Sequence, residues 1–276
     1  MKKFTALLLY TGFILSAKAQ FGDLSTLDTV LWVPDPAIKS FTTDNLGNIY
    51  LIYEEEIKKI VPYPAANSVK ISFSEPQLGK VAAIDAFNPM QILVRYQPFN
   101  NIIFLDNKLN KIQQSLQLED LGLMDVQLAS MTTQNRIWLY DQVLDQIVLY
   151  NPRLEGIEFS TQNITQLIGI ENSPEYLQSD ASGVYLYLKE AGLMIFDVFG
   201  NFVKVLPIKN LTSVQIKDKK LYGLEGKKIL ISGLNVNFLR RIELPYKDSI
   251  EQVRFENQFI FLLFEGKGLL VALFPG

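Results

Sequence analysis

Neither cysteine nor histidine occurs anywhere in this 276-residue chain. Without cysteine there can be no disulfide, no thiol nucleophile and no soft-metal thiolate site, so the fold must be stable from its core alone. Without histidine there is no Ser-His-Asp triad, no imidazole acid or base, and no His-ligated zinc or copper. Basic side chains are outnumbered as well, 26 against 29 acidic ones, for a net charge of −3. No basic cluster relieves this balance, which excludes nucleic acid as a natural partner and disfavours an anionic membrane surface. Long amphipathic helices are also lacking. Short apolar runs separated by Asn, Asp, Gly and Pro take their place, which is the pattern of many short strands.

The first nineteen residues have the three parts of an export signal. Lys2 and Lys3 supply a positive start, residues 4–15 form an uncharged apolar run, and Ala17 and Ala19 flank Lys18 at the positions that signal peptidase inspects. The run is shorter than the roughly 20 residues of a membrane-spanning helix, so cleavage before Gln20 is expected rather than a retained anchor. Residues 1–19 are therefore assigned as a signal peptide and 20–276 as one domain. No cysteine follows the signal to carry a lipid. Loss of Lys2, Lys3 and Lys18 leaves 23 basic against 29 acidic side chains, a charge of −6. The expected location is periplasmic or outer-membrane-associated, with no membrane insertion after cleavage.

The mature chain repeats. A polar or glycine turn followed by an apolar strand starts at Ile49, Ile92, Ile137, Val184, Leu221 and Phe259, at intervals of 37 to 47 residues. Spacing of this kind fits four-stranded propeller blades. Ahead of each anchor lies an inner strand (40–43, 81–87, 126–131, 175–179, 213–217 and 252–256). Behind it lies a third strand (57–61, 101–105, 146–150, 193–196, 228–231 and 269–274). More polar outer strands are expected at 69–73, 111–116, 154–159, 202–206 and 239–244. The sixth copy has no outer strand of its own, and 29–33 stands unpaired before the first copy. Pairing the two closes the ring, so the expected fold is an all-β, six-bladed β-propeller closed by an N-terminal strand.

The turns carry a resemblance. Asp44, Gly47, Asn48, Ile49 and Tyr50 form an Asp-x-x-Gly-Asn-Ile-Tyr hairpin, repeated in part by Asp180, Gly183, Val184 and Tyr185. This resembles the inner hairpin of NHL-type and related bacterial propeller repeats, and the likeness spans roughly residues 29 to 274. The signal ending in Ala19-Gln20 before Phe21, with the Asn, Ile and Lys content, resembles envelope proteins of Bacteroidota. Both resemblances imply an exported repeat protein.

Candidate functional residues fall in two groups. Carboxylates collect between second and third strands, as Glu54, Glu55 and Glu56, then Asp141 and Asp145, Glu190, Glu225 and Glu265. By blade geometry these loops share one face. Such a ring could hold a cation or a basic partner, or it could simply solvate tight turns; no Asp-x-Asp-x-Asp-Gly calcium loop is present. The second group is the loop Tyr96-Gln97-Pro98-Phe99-Asn100, apolar where its counterparts are acidic, which either offers a partner hot spot or folds back onto the disc. Insertions at 118–125 and 160–173 add further loop surface. The recurring aromatics Tyr50, Trp138, Tyr185 and Tyr222 are read as filler between blades rather than as a ligand platform.

These observations favour a non-enzymatic binding or scaffolding module for an envelope protein. Its candidate surface comprises Glu54, Glu55, Tyr96, Phe99, Asp141, Asp145 and Glu190. No catalytic residue, metal or cofactor is assigned. The alternative is a carboxylate- or calcium-dependent hydrolase or lyase acting on a sugar or lactone.

Overall fold

The computed structural model describes residues 27–61, 70–171, 173–235 and 238–274; residues 1–19, the expected signal peptide, lie outside them. Six four-stranded antiparallel sheets stand as blades around a central channel, and the fold is a six-bladed β-propeller. From the channel outward, blade 1 comprises Ser40–Thr43, Ile49–Ile52, Glu56–Ile60 and Lys70–Ser74. Blade 2 comprises Lys80–Asp85, Ile92–Gln97, Asn101–Leu105 and Leu116–Gln117. Blade 3 follows with Val126–Met131, Ile137–Asp141, Gln146–Asn151 and Gly156–Ser160, and blade 4 with Tyr176–Ser179, Val184–Leu188, Gly192–Phe196 and Phe202–Leu206. Blade 5 is Val214–Lys217, Lys220–Glu225, Lys228–Gly233 and Leu239–Glu243. Blade 6 takes Ile250–Glu256, Phe259–Phe264 and Gly268–Leu273 from the end of the chain and Thr29–Val33 from its beginning.

Unbroken apolar runs such as Ile49–Ile52 and Ile92–Val94 arise because each middle strand is covered on both sides by a neighbouring blade. Successive side chains point to opposite faces. Ile49 and Leu51 therefore pack toward blade 6 with Phe261 and Val271, whereas Tyr50 and Ile52 pack toward blade 2 with Val94 and Ile103. The core is thus divided into six clusters, one per seam between blades. Tyr50, Trp138 and Tyr185 are buried in these seams, as filler should be.

Polar rungs also tie the blades together near the channel. Asp85 accepts the Met131 N–H (2.7 Å), Ser130 the Ser179 N–H (2.9 Å) and Gln178 the Ile216 N–H (3.2 Å). Gln215 accepts the Phe255 N–H (2.8 Å) and Gln252 the Phe41 N–H (3.0 Å), which completes the circuit from blade 6 to blade 1. Thr42 stands at the equivalent place in blade 1, opposite Tyr50, and makes no such bond to blade 2. That seam is held instead by Val81 N–H donating to the Glu54 carbonyl (2.8 Å) and by the buried Lys59 Nζ donating to the Asn107 carbonyl (2.7 Å).

Ring closure occurs through Thr29–Val33 pairing antiparallel with Gly268–Leu273. Two outer strands differ from the sequence reading. In blade 2 only Leu116–Gln117 pairs regularly, with a lone bridge from Leu105 to Lys111, because Lys111 turns outward to Glu75 at 3.0 Å. In blade 3 the strand begins at Gly156 rather than Leu154, because the preceding turn from Asn151 extends to Glu155, whose φ is +50°. The second strand of blade 5 begins one residue early, at Lys220. Asp218 and Lys219, both with positive φ, form a two-residue hairpin joining Lys217 to Lys220.

Candidate functional site: a loop sector and the central channel

In a disc of up-and-down blades, the loops between second and third strands share one face with the connections between blades. On this connector face three loop regions of blades 2 and 3 meet. Asn100 anchors the first contact, its Nδ2 donating to the Leu123 carbonyl (2.9 Å) and its Oδ1 accepting the Val126 N–H (3.2 Å). Asp141 makes the second, with Oδ2 accepting the Asp125 N–H (3.1 Å) and Oδ1 the Leu144 N–H (2.8 Å). Asp145 makes the third. Its Oδ1 accepts the Tyr140 hydroxyl and its Oδ2 accepts the Thr165 N–H at the start of the short helix Ile164–Ile168, both at 2.8 Å. Burial, reinforced by Asp145, holds the Tyr140 phenol far above its ordinary pKa, so it remains a neutral donor.

These ties fix a surface on which four large apolar side chains stand in solvent: Phe99 (57% exposed), Met124 (60%), Val143 (66%) and Leu144 (41%). Their loops come from blade 2, the insertion before blade 3, and blade 3 itself. On the opposite face, exposed apolar side chains such as Leu46, Leu154 and Phe199 sit at the tips of hairpins of different blades. Scattered positions of that kind are ordinary surface.

Two of the expected surface residues are not at the surface. Tyr96 is fully buried in the seam between blades 1 and 2, because its position in Ile92–Gln97 points it inward while Phe99 at the loop tip points out. Asp141 is fully buried too, its carboxylate turned onto main-chain N–H groups. Asp145 is half-buried and bonded as described. Glu55 and Glu190 are exposed on the connector face, on blades 1 and 4. Glu54, also exposed, pairs with Lys80, which holds its carboxyl below the usual range. The acidic loops therefore do not gather into one constellation. Among the described residues no group of three or more carboxylates is placed to hold a metal ion.

The channel is a second candidate, and sequence reading did not single it out. It contains a cavity of about 750 Å³ lined by Asp85, Tyr176, Gln178, Lys217, Arg254 and Glu256, among others. Lys217 and Glu256 neutralise one another in an ion pair. Burial raises the Asp85 carboxyl above its usual range against the pull of the Phe87 and Met131 N–H groups, Ser130 and, more distantly, Arg254. Arg254 Nε is buried without a hydrogen-bond partner. The only signal in the sequence is the polar residue recurring in otherwise apolar inner strands.

No family model and no curated protein matches the sequence. Solved structures do match in fold. A catalytically inactive histidine-to-alanine variant of virginiamycin B lyase from Staphylococcus aureus, bound to quinupristin, superposes with a TM-score of 0.59 at 13% identity over 86% of this chain and 80% of that one. YCF48 bound to D1 peptide gives 0.57 at 10% identity, covering 91% and 100%. PorZ, an essential bacterial surface component of the type-IX secretion system of Porphyromonas gingivalis, gives 0.53 at 10% identity over 89% of this chain and 38% of PorZ. At these identities the likeness concerns the propeller fold alone, a fold on which binding proteins and lyases are both built.

Proposed function

We propose that this chain is an exported, non-enzymatic propeller that binds and scaffolds an envelope protein, in the periplasm or at the outer membrane. The carrying observation is the connector-face sector, with four exposed apolar side chains on loops from two blades fixed by buried Asp141 and half-buried Asp145. A rigid apolar cluster rimmed by polar groups is the form a protein-binding hot spot takes. The export signal supports the location, and propellers that bind a peptide or belong to a bacterial surface machine support the class.

Affinity capture of the tagged mature protein from mildly solubilised envelope, beside its Phe99→Ser/Val143→Ser double variant, tests this. One or a few stoichiometric envelope proteins recovered with the wild type and lost with the variant are expected. Recovery of the wild-type protein alone would sink the proposal.

The channel favours a second reading, a carboxylate-dependent lyase or hydrolase, since Asp85 and Tyr176 face a cavity of ligand size. It is the weaker one. The lyase neighbour loses activity when a histidine is replaced, and this chain has no histidine to supply that role. Turnover of a lactone or glycoside by the purified protein, abolished in Asp85→Asn, would establish it.

A further inference from the structure

The connector-face sector is distinguished by its charge as much as by its apolar side chains. Its four loop segments are 97–100, 118–125, 141–145 and 161–175. None contains a lysine or arginine, yet together they hold Glu119, Asp120, Asp125, Asp145, Glu171 and Glu175, besides the buried Asp141. Glu119, Asp120, Glu171 and Glu175 are exposed. Two cations lie beside them. Lys80, the register partner of Gln97, is exposed but paired with Glu54 of blade 1. Arg95 of blade 2 is buried and its Nη1 is bonded to the Val126 carbonyl at 3.0 Å. Burial pushes its pKa down to about 10, which leaves it charged at neutral pH and turned inward.

The same face over blades 4 to 6 is composed differently. Lys189, Lys209, Lys227, Lys247 and Lys267 stand in its loops, interspersed with acids. The unrelieved negative charge therefore lies over blades 2 and 3, the part of the face that exposes Phe99, Met124, Val143 and Leu144.

From this coincidence we infer the chemistry of the occupant, resting on the proposed protein-binding function: the sector receives a basic segment of the partner protein, with apolar side chains set between lysines or arginines. The apolar side chains cover the cluster. The cations meet the rim formed by Glu119 and Asp120 on one side and by Glu171 on the other; Glu175 lies toward the channel mouth, where Lys39 and Arg254 share its cavity. A neutral segment would leave that rim uncompensated, and an acidic one would be repelled from it. Localised charge of one sign also accelerates encounter with an opposite charge, and this effect is screened by salt.

Photo-crosslinking provides the test. A benzophenone side chain is placed at Phe99 or Val143 of the full mature chain, the envelope is irradiated, and the crosslinked peptide is sequenced. Affinity for that partner is then measured between 50 and 300 mM salt, with wild type and with the Glu119→Lys/Asp120→Lys variant. The expected result is a crosslinked segment rich in Lys or Arg, with affinity falling about tenfold or more both with salt and in the variant. A neutral or acidic crosslinked segment, or affinity indifferent to salt and to the charge reversal, overturns the inference while leaving a protein-binding sector in place. A crosslinked second copy of this chain also overturns it. Absence of any crosslink from both positions removes the sector as a binding site and the inference with it.

Discussion

The carboxylate of Asp141, at the end of the second strand of blade 3, accepts the main-chain N–H of Asp125 at 3.1 Å and so binds the insertion before that blade to the loop within it. A side chain that sequence alone would place in solvent is in fact the internal fastener of the surface beside it. Replacing it with alanine leaves the Asp125 and Leu144 N–H groups without their acceptor. Asp141→Ala is expected to cost about 2 to 3 kcal/mol, as loss of hydrogen bonds to a buried charged group does. Urea denaturation checks this, with Glu190→Gln as an exposed control that should change stability by less than about 0.5 kcal/mol.

The closing strand depends on a glycine. Gly268 has φ of +134°, and a Cβ there would lie 2.1 Å from the Val33 carbonyl oxygen. Gly268→Ala must push Thr29–Val33 away from blade 6, and a loss of about 3 kcal/mol is expected from strain and lost pairing together. Gly226→Ala isolates the backbone component, because φ is +61° there but the space is open. It should cost only about 1 kcal/mol. Equal losses in the two variants would show that steric closure of the ring is not what Gly268 provides.

The glutamine rungs should be worth more than their number suggests. Gln215 donates to the Phe255 carbonyl and accepts its N–H, and Gln252 does the same with Phe41. Alanine at either place leaves two main-chain groups unpaired at the seam, at about 2 kcal/mol per variant. Thermal or urea unfolding of each single variant provides the measurement, and a change under about 0.5 kcal/mol would mean that the seams rest on apolar packing alone.

Asp85 and the turn carboxylates pull stability in opposite directions with pH. Burial raises the folded pKa of Asp85 above the unfolded value near 3.9, so stability falls as pH rises between those two values. Asp106 and Asp197 behave oppositely. Hydrogen bonds from the side chains and main chains of Asn110 and Asn201 lower their carboxyl pKa values, so the stability they confer is present above about pH 4 and is lost as pH falls through the folded values. Asp85→Asn removes only the first effect. Melting temperatures from pH 4 to 8 should therefore show the wild type losing ground to the variant as pH rises. A difference independent of pH would contradict the burial argument.

Much of the architecture was legible in the chain because both faces of every middle strand are buried. That condition writes long apolar runs such as Ile102–Leu105 and Val184–Leu188 into the sequence at a regular interval. The hairpin at Asp44 was legible for a local reason, and the turns at Asp106 and Asp197 repeat its chemistry. Asp44, Asp106 and Asp197 each accept the main-chain N–H two and four residues on and the side-chain amide of an Asn at the latter position. Such bonds need no distant partner. The blade 2 outer strand was misjudged because pairing at an edge is decided by competitors, here Glu75 on blade 1's side of the connection capturing Lys111.

What the sequence by itself determined is the count of blades, the order of strands and the closure by Thr29–Val33, since each follows from a hydrophobic period and a missing sixth outer strand. Only the tertiary structure decided which side chains face out. Tyr96 and Phe99 are three residues apart in one apolar loop region, and Asp141 and Asp145 four apart in one acidic one. The direction of the strand buries Tyr96 and exposes Phe99, whereas Asp141 is fully buried and Asp145 half-buried with both carboxylate oxygens bonded. The meeting of 118–125 with 97–100 and 141–145 is likewise a product of the packing of blade 2 against blade 3. The radial packing of blades, not any local propensity, brings loops distant along the chain within hydrogen-bonding reach and sets their apolar and acidic residues on one surface.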